Sequence, residues 1–163
     1  FTGRSTDVDV VLDLMIHDLD LVLSLSRGIV KDLSADGICF ATDRYDTVNA
    51  RIEFSDGCVA NLTASRVAGH RERSITIYEE KTTFYVNLMQ GKLVTVTSTG
   101  NEKTDITEYI CEQMDPVKDE LLQFIMAAAG NCAPSVTGMD GLKALELANR
   151  IRDHIAGKHG AAH

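Results

Sequence analysis

Residues 49–65, NARIEFSDGCVANLTAS, contain the pattern that decides the fold. Two runs of β-type residues, 49–54 and 58–65, flank Ser55-Asp56-Gly57, and an Asp-Gly turn between such runs is a strong hairpin signal. Further short runs of the same kind follow at 73–78 (RSITIY), 83–88 (TFYVNL), 93–98 (LVTVTS) and near 105–110. Short strands joined by tight turns predict an antiparallel meander over residues 29–110.

A helix is predicted before the strands. Residues 8–25 read VDVVLDLMIHDLDLVLSL. The spacing of the apolar residues in this stretch fits both the two-residue period of a strand and the 3.6-residue period of a helix. The first part, through Leu12, could be a strand. Asp13 as N-cap and Gly28 just past the end favour a helix over residues 14–27.

Two more helices are predicted after the strands. Asp115-Pro116 is typical of a helix start with proline in the first turn, and Thr137-x-x-Asp140 resembles a capping box before a helix that ends at Gly157. Apolar residues of these helices are predicted core: Leu121, Phe124, Ile125, Leu145 and Leu147. The whole pattern predicts an α+β fold, an open, mostly antiparallel β-sheet with helices packed on one face. One domain is expected over residues 1–157, with 158–163 as a flexible tail.

Composition narrows the classes of function. The formal net charge of -8 argues against nucleic acid as a partner, because domains that bind phosphate backbones usually carry a basic surplus. No apolar stretch is long enough to span a membrane. The four cysteines, at 39, 58, 111 and 132, form no CxxC pair and have no histidine at ligand spacing, so buried free thiols in a reducing, cytoplasmic compartment are predicted.

Asp13 and His17 form the best candidate for chemistry. On a helix they lie one turn apart on one face, and a carboxylate that holds one imidazole nitrogen leaves the other free to take a proton. The alternative is structural: Asp13 caps the helix, and His17 is a half-buried residue with satisfied hydrogen bonds. A metal site built from Asp13, His17 and Asp20 is a third alternative, and the sequence favours it least.

A basic stretch, residues 65–73 (SRVAGHRER), is the second candidate. It could bind a phosphate or carboxylate of a substrate, although the pattern favours a solvated loop with charged strand edges. Arg66 is singled out because it directly follows a strand. No GxGxxG or P-loop pattern occurs, so the chain shows no phosphate cradle for a dinucleotide.

Three segments resemble the C-terminal domain of the glucose-fructose oxidoreductase / inositol dehydrogenase / rhizopine-catabolism (Gfo/Idh/MocA) superfamily. The first is DLMIHDLD at 13–20, with its Asp-x-x-x-His, and the second is the hairpin IEFSDGCVANLTASR at 52–66. The third is the closing helix pair within 119–151, which includes Pro-x-Val-x-Gly-x-x-Gly. The resemblance covers nearly the whole chain, from about residue 8 to 155.

The resemblance implies more than the residues do. Members have an N-terminal Rossmann domain that binds NAD or NADP, absent from this chain, and a C-terminal sheet that shapes the substrate pocket and often forms the oligomer interface. A histidine in the position of His17 is taken as the base, an aspartate in the position of Asp13 supports it, and a lysine of the Rossmann half completes the site. Arg66 is expected to touch the substrate.

Two functions follow as expectations. The first is the substrate-side domain of an NAD(P)-dependent dehydrogenase that acts on a secondary alcohol of a sugar, polyol or nucleotide sugar, inactive as this fragment alone. The second is a non-catalytic ligand-binding or oligomerisation module of the same fold. Under either, a homo-oligomer through the sheet face is expected.

Overall fold

The computed structural model describes residues 7–111 and 115–160. Its helical elements are a wide π-helical turn (Val11–Met15), α1 (Ile16–Leu25), α2 (Pro116–Ala128) and α3 (Gly138–Gly160). Its strands are β1 (Val30–Ile38), β2 (Thr47–Phe54), β3 (Val59–Ser65), β4 (Ser74–Tyr78), β5 (Thr82–Asn87), β6 (Lys92–Gly100) and β7 (Lys103–Ile110). The α+β class and the antiparallel strands are confirmed.

The chain divides into two compact units where one domain was expected. Unit 1 is formed by the chain before His70 together with the chain after Ser135, and unit 2 is residues His70–Ser135. The strands are divided in the same way, because β1–β3 form one sheet and β4–β7 form another. The predicted meander is therefore two successive meanders.

Unit 1 contains the hydrophobic core. Its sheet alternates in the expected way along β2, where Ala50 and Ile52 are buried while Arg51 is exposed. The register places Ala50 between Ala35 of β1 and Leu62 of β3. The buried side chains that cover this face come from the π-helical turn, α1 and α3: Val11, Met15, Leu19, Leu147, Ala148, Ile151 and Ile155. In unit 1, the helices therefore pack on one face of an antiparallel sheet.

The predicted hairpin joins β2 to β3. Gly57 has a φ of 89°, which favours glycine, and the Phe54 N–H donates to the Cys58 carbonyl at 2.9 Å. The Asp56 carboxylate reaches beyond the turn and accepts from the backbone N–H groups of Arg27 (3.0 Å) and Gly28 (2.9 Å). This carboxylate connects the hairpin to the end of α1.

Unit 2 has a sheet that is half-buried along β5 and β6 and exposed along β7, and a helix that is largely exposed. None of its described residues is buried. The register of its sheet places Val86 opposite Leu93, and Val94 opposite Tyr85, so Val86 and Val94 lie on opposite faces. Helix α2 begins as predicted, with Asp115 Oδ1 accepting from the Lys118 N–H at 3.2 Å.

The predicted core of the last two helices is largely wrong. Only Leu147 is buried, at 2% exposed. The other four are exposed by 42–69%: Leu121, Phe124, Ile125 and Leu145. Helical spacing shows which side of a helix is apolar, but it does not show whether the chain supplies a surface that covers that side.

Two further expectations are corrected. The cysteines are free but exposed, since Cys39, Cys58, Cys111 and Cys132 lie outside the helices and strands, where the chain runs over the surface. The expected tail at 158–163 is helical as far as Gly160, because Lys158 Nζ binds Asp36 Oδ1 at 2.9 Å and the Ala35 carbonyl at 3.1 Å. Residues 161–163 lie outside the described residues.

Membrane-spanning helices are not found among residues 7–111 and 115–160, where no helix is both long and apolar enough to cross a bilayer.

Candidate functional site

The helical segment that carries His17 is capped by Asp9, not by Asp13. Asp9 Oδ1 accepts from the N–H groups of Val11 and the residue after it, at 3.1 and 3.2 Å. Asp13 lies inside the π-helical turn, where its own N–H donates to the Asp9 carbonyl at 3.1 Å. The helical segment starts this early because Val10 and Val11 are fully buried, so the apolar face begins upstream of Asp13. The interpretations of Asp13 as a cap and of residues 8–12 as a strand are wrong.

His17 and Asp13 face away from the core. Met15 and Leu19 on the inner side are fully buried, whereas His17 is exposed and Asp13 is half-buried. The expectation that a structural His17 would be half-buried is therefore wrong. Asp13 does not cap the helix, and His17 does not pack in the core. The two structural alternatives given for these residues are therefore not supported.

The two side chains are not hydrogen-bonded to each other. In the described part of the chain, no hydrogen bond joins the Asp13 carboxylate to the His17 ring. A catalytic base and the group that orients it often come together only when substrate is bound. Their relation as base and orienting carboxylate stays a prediction.

Arg66 lies in the interior of unit 1. Its side chain is 7% exposed, and its Nε lies 3.7 Å from Oδ1 of the fully buried Asp46. Its Nη2 donates to the Val8 carbonyl at 2.6 Å. Substrate contact by Arg66 stays a prediction. Its hydrogen bond to the Val8 carbonyl holds the chain just before the π-helical turn.

Asp46, the buried partner of Arg66, is held by the chain just before it. Its Oδ2 accepts from the backbone N–H groups of Phe40 (2.8 Å), Ala41 (2.6 Å) and Thr42 (2.9 Å), and its Oδ1 accepts from the Thr42 hydroxyl at 2.8 Å. Burial alone would raise the pKa of Asp46, but these hydrogen bonds outweigh it and lower the pKa from 3.8 to about 2. Asp46 is therefore ionised beside Arg66 at neutral pH.

The loop between β1 and β2, which contains Phe40–Thr42 and Asp46, lines an open cavity of about 750 Å³. Its walls are Asp7, Phe40, Ala41, Thr42, Asp43 and Arg44.

The remaining basic residues of 65–73 belong to unit 2, whereas Arg66 belongs to unit 1. The boundary between the units falls after Gly69. His70 Nε2 lies 3.2 Å from Glu72 Oε2, and both side chains are largely exposed.

The metal alternative is not supported. Within residues 7–111 and 115–160, no group of three or more His, Cys, Asp or Glu side chains is arranged to hold an ion, and this includes Asp13, His17 and Asp20.

Sequence reasoning missed Asp9 and its partner Arg152. Arg152 Nε donates to Asp9 Oδ2 at 2.5 Å. An acid directly before an apolar run is a known N-cap signal, so Asp9 could have been found. Its pairing with Arg152, which is distant in the sequence, carries no local signal.

Comparison with known proteins identifies the family. Residues 2–85 match the family model described as the GFO/IDH/MocA C-terminal domain. The chain belongs to this family. The suspected resemblance is thereby confirmed.

Relatives of this GFO/IDH/MocA chain include dehydrogenases. It is 30% identical over 162 residues to a UDP-N-acetylglucosamine 3-dehydrogenase of Acidithiobacillus ferrooxidans, covering 93% of this chain and 50% of the relative. A solved structure of the enzyme with that name and source matches with a TM-score of 0.88 over 95% of this chain and 50% of that one. A levoglucosan dehydrogenase in complex with NADH shares the fold, with a TM-score of 0.81 at 16% identity over 92% of this chain and 49% of that one. The chain thus spans about half the length of the relatives it matches.

Proposed function

We propose that this chain is the substrate-side half of an NAD- or NADP-dependent dehydrogenase acting on a secondary alcohol of a sugar, polyol or nucleotide sugar. The observation that carries the proposal is the exposed His17 beside Asp13, on the outer face of a helix whose inner face is core. An exposed imidazole with no part in packing suits proton transfer near neutral pH. Membership of the GFO/IDH/MocA family and the sugar-nucleotide dehydrogenase relative support the substrate class.

His17 is the proposed base. Its imidazole takes the hydroxyl proton as the O–H bond breaks and the C=O bond forms, while hydride leaves the same carbon. Asp13 holds the ring in the tautomer that leaves the other nitrogen free. Arg66 remains a predicted substrate contact, and its guanidinium would have to reach the substrate from between Asp46 and the Val8 carbonyl.

The cofactor does not fit this chain. The sequence has no glycine-rich turn of the kind that accepts a dinucleotide pyrophosphate at a helix N-terminus. NAD or NADP is therefore assigned to an N-terminal domain, and when bound there it accepts the hydride. The fragment alone is expected to be inactive.

The partners proposed are a sugar or nucleotide-sugar substrate and a second copy of the protein, with no nucleic acid and no membrane. A cytoplasmic location is supported by the four exposed free thiols, which are typical of reducing compartments. Assembly through the sheet of unit 2 is supported by the apolar residues it exposes, among them Tyr78 and Ile106. The alternative function, a non-catalytic oligomerisation module, would use the same sheet, so assembly alone does not distinguish the two functions.

The two functions differ in measurable activity. The full-length protein is assayed with NAD and with NADP against a panel of UDP-sugars, free sugars and polyols, with absorbance at the reduced nicotinamide band as readout. Turnover of any panel member supports the dehydrogenase. Dinucleotide binding without turnover of any substrate would favour the non-catalytic module. The isolated chain serves as control, and micromolar NAD binding to it would contradict the assignment of the cofactor to the other half.

A further inference from the structure

The chain just before the π-helical turn is held at three successive residues. The Val8 carbonyl accepts from Arg66 Nη2 at 2.6 Å, and the Val10 N–H donates to the Tyr45 carbonyl at 2.9 Å. Between them, Asp9 is bound by α3 through Arg152. Residues 8–10, here called the anchor segment, are thus tied to three separate parts of unit 1.

Asp9 is the member of the anchor segment whose side chain carries a charge. It is 4% exposed, and its two oxygens have different partners. Oδ1 caps the helical segment at Val11, and Oδ2 accepts from Arg152 Nε at 2.5 Å. A buried carboxylate needs such partners, because an unpaired charge in the interior is costly. Arg152 therefore helps to fix where Asp9, and with it the first turn, lies, together with the backbone hydrogen bonds of Val8 and Val10.

His17 lies eight residues beyond Asp9, about 12 Å along a helix. A tilt of only about 5° at the anchor segment would move His17 by about 1 Å over that length. The π-helical turn lies between the two, and such turns are local departures from the regular helix that often accompany functional sites. A misplacement of about 1 Å at a reacting group can cost on the order of a hundred-fold in rate.

We propose that Asp9 and Arg152 form a positioning pair, in which α3 sets the start of the π-helical turn and so places His17 against the substrate. The inference rests on the proposed function. Neither residue touches the reacting atoms in it: Arg152 acts through Asp9, and Asp9 acts through the helical backbone.

The test uses Arg152, because its side chain is 37% exposed and its replacement disturbs the interior less than replacement of Asp9. Arg152→Gln in the full-length protein with bound cofactor is expected to lower kcat about ten- to a hundred-fold, with KM for the dinucleotide unchanged. Arg152→Lys keeps the cation and should recover most of that loss. The deuterium isotope effect on kcat should rise in Arg152→Gln, because hydride transfer becomes slower relative to product release.

Lys158→Gln is the matched control. Lys158 lies on the same helix and pairs with Asp36 of β1, so the variant removes the same charge and one ion pair, but it leaves the anchor segment intact. Equal kcat per folded molecule in Arg152→Gln and Lys158→Gln would overturn the inference. If Arg152→Gln does not fold, Arg152→Lys decides: it is expected to turn over several-fold more slowly than Lys158→Gln, and equal rates would overturn the inference.

Failure of this inference is distinguishable from failure of the proposed function. A wild-type protein that turns over no member of the substrate panel contradicts the proposed function itself, and a His17→Ala variant that turns over normally contradicts the assignment of His17 as the base. Loss of turnover in His17→Ala, together with normal rates in the Arg152 variants, overturns only the positioning pair.

Discussion

At the scale of single residues, the exposure of His17 means that its replacement should affect the reaction rate much more than the stability of the fold. A side chain on the outer face of α1 contributes little to folding, whereas a general base contributes roughly a hundred- to ten-thousand-fold to rate. His17→Ala should therefore lower kcat by that amount, while the free energy of unfolding changes by less than about 0.5 kcal/mol. Asp13→Asn should cost less rate, because it disturbs only the ring tautomer.

Steady-state kinetics on the full-length protein and urea unfolding of the same variants measure both effects. His70→Ala, which removes another exposed histidine, is the control and should change neither. A His17→Ala protein that unfolds early but turns over normally would show that the residue supports the helix and has no catalytic role.

Asp46 makes a separate prediction about pH. Its pKa is lowered from 3.8 to about 2 in the folded chain, so folding favours the ionised form. The stability this contributes is present above pH 3.8 and is lost as the pH falls through about 2. Asp46→Asn should therefore be less stable than wild type at neutral pH and should lose less stability over that acid range.

Urea unfolding at a series of pH values gives the difference between the two proteins. The carboxyl groups of Asp56, Glu72 and Asp140 also have lowered pKa values, so only the difference isolates Asp46. Asp43→Asn, an exposed acid of the same loop, is the control. Parallel curves for wild type and Asp46→Asn would contradict the assigned pKa.

At the scale of elements, α3 shows that apolar residues of one helix differ in burial according to the side on which they lie. Ile151 is fully buried, whereas Leu145 is 42% exposed. Ile151→Ala should cost about 2–5 kcal/mol in the free energy of unfolding, because it removes buried methyl groups and leaves a cavity. Leu145→Ala should cost less than half as much. Urea denaturation followed by circular dichroism measures both, and equal costs would mean that Leu145 is covered in the protein in solution.

At the scale of the whole molecule, the sheet of unit 2 predicts assembly. Ile106 pairs with Val96 and Tyr109 pairs with Leu93, so Ile106 and Tyr109 lie on opposite faces of β7. The face of Ile106 also carries Tyr78, which is 79% exposed. We expect this face to meet a second subunit, since a monomer rarely leaves so much apolar surface in water.

Ile106→Lys should then lower the sedimentation coefficient of the full-length protein toward that of a monomer. Tyr109→Lys places the same charge on the other face and should leave the assembly intact. A wild-type protein that sediments as a monomer at high micromolar concentration, or equal effects of the two variants, would contradict assembly through this face.

The local features of this protein were readable from its sequence, because each depends on neighbouring residues. The Asp56-Gly57 turn, the Asp115-Pro116 helix start and the Thr137–Asp140 capping box are all in place. In the capping box the Thr137 N–H donates to Asp140 Oδ2 at 3.0 Å, and the Asp140 N–H donates to the Thr137 hydroxyl oxygen at 3.3 Å. The spacing of Asp13 and His17 was readable for the same reason.

Only the tertiary structure decided which apolar helix faces are covered and which residues hold the start of the first helical segment. It placed Ile151 in the core and left Phe124 exposed, although helical spacing treats them alike. It moved the cap from Asp13 to Asp9, because the burial of Val10 depends on strands far along the chain. It also paired Asp9 with Arg152, a contact between the two ends of the chain. Periodicity and turn chemistry act over a few residues, whereas burial and ion pairing depend on which distant segments meet.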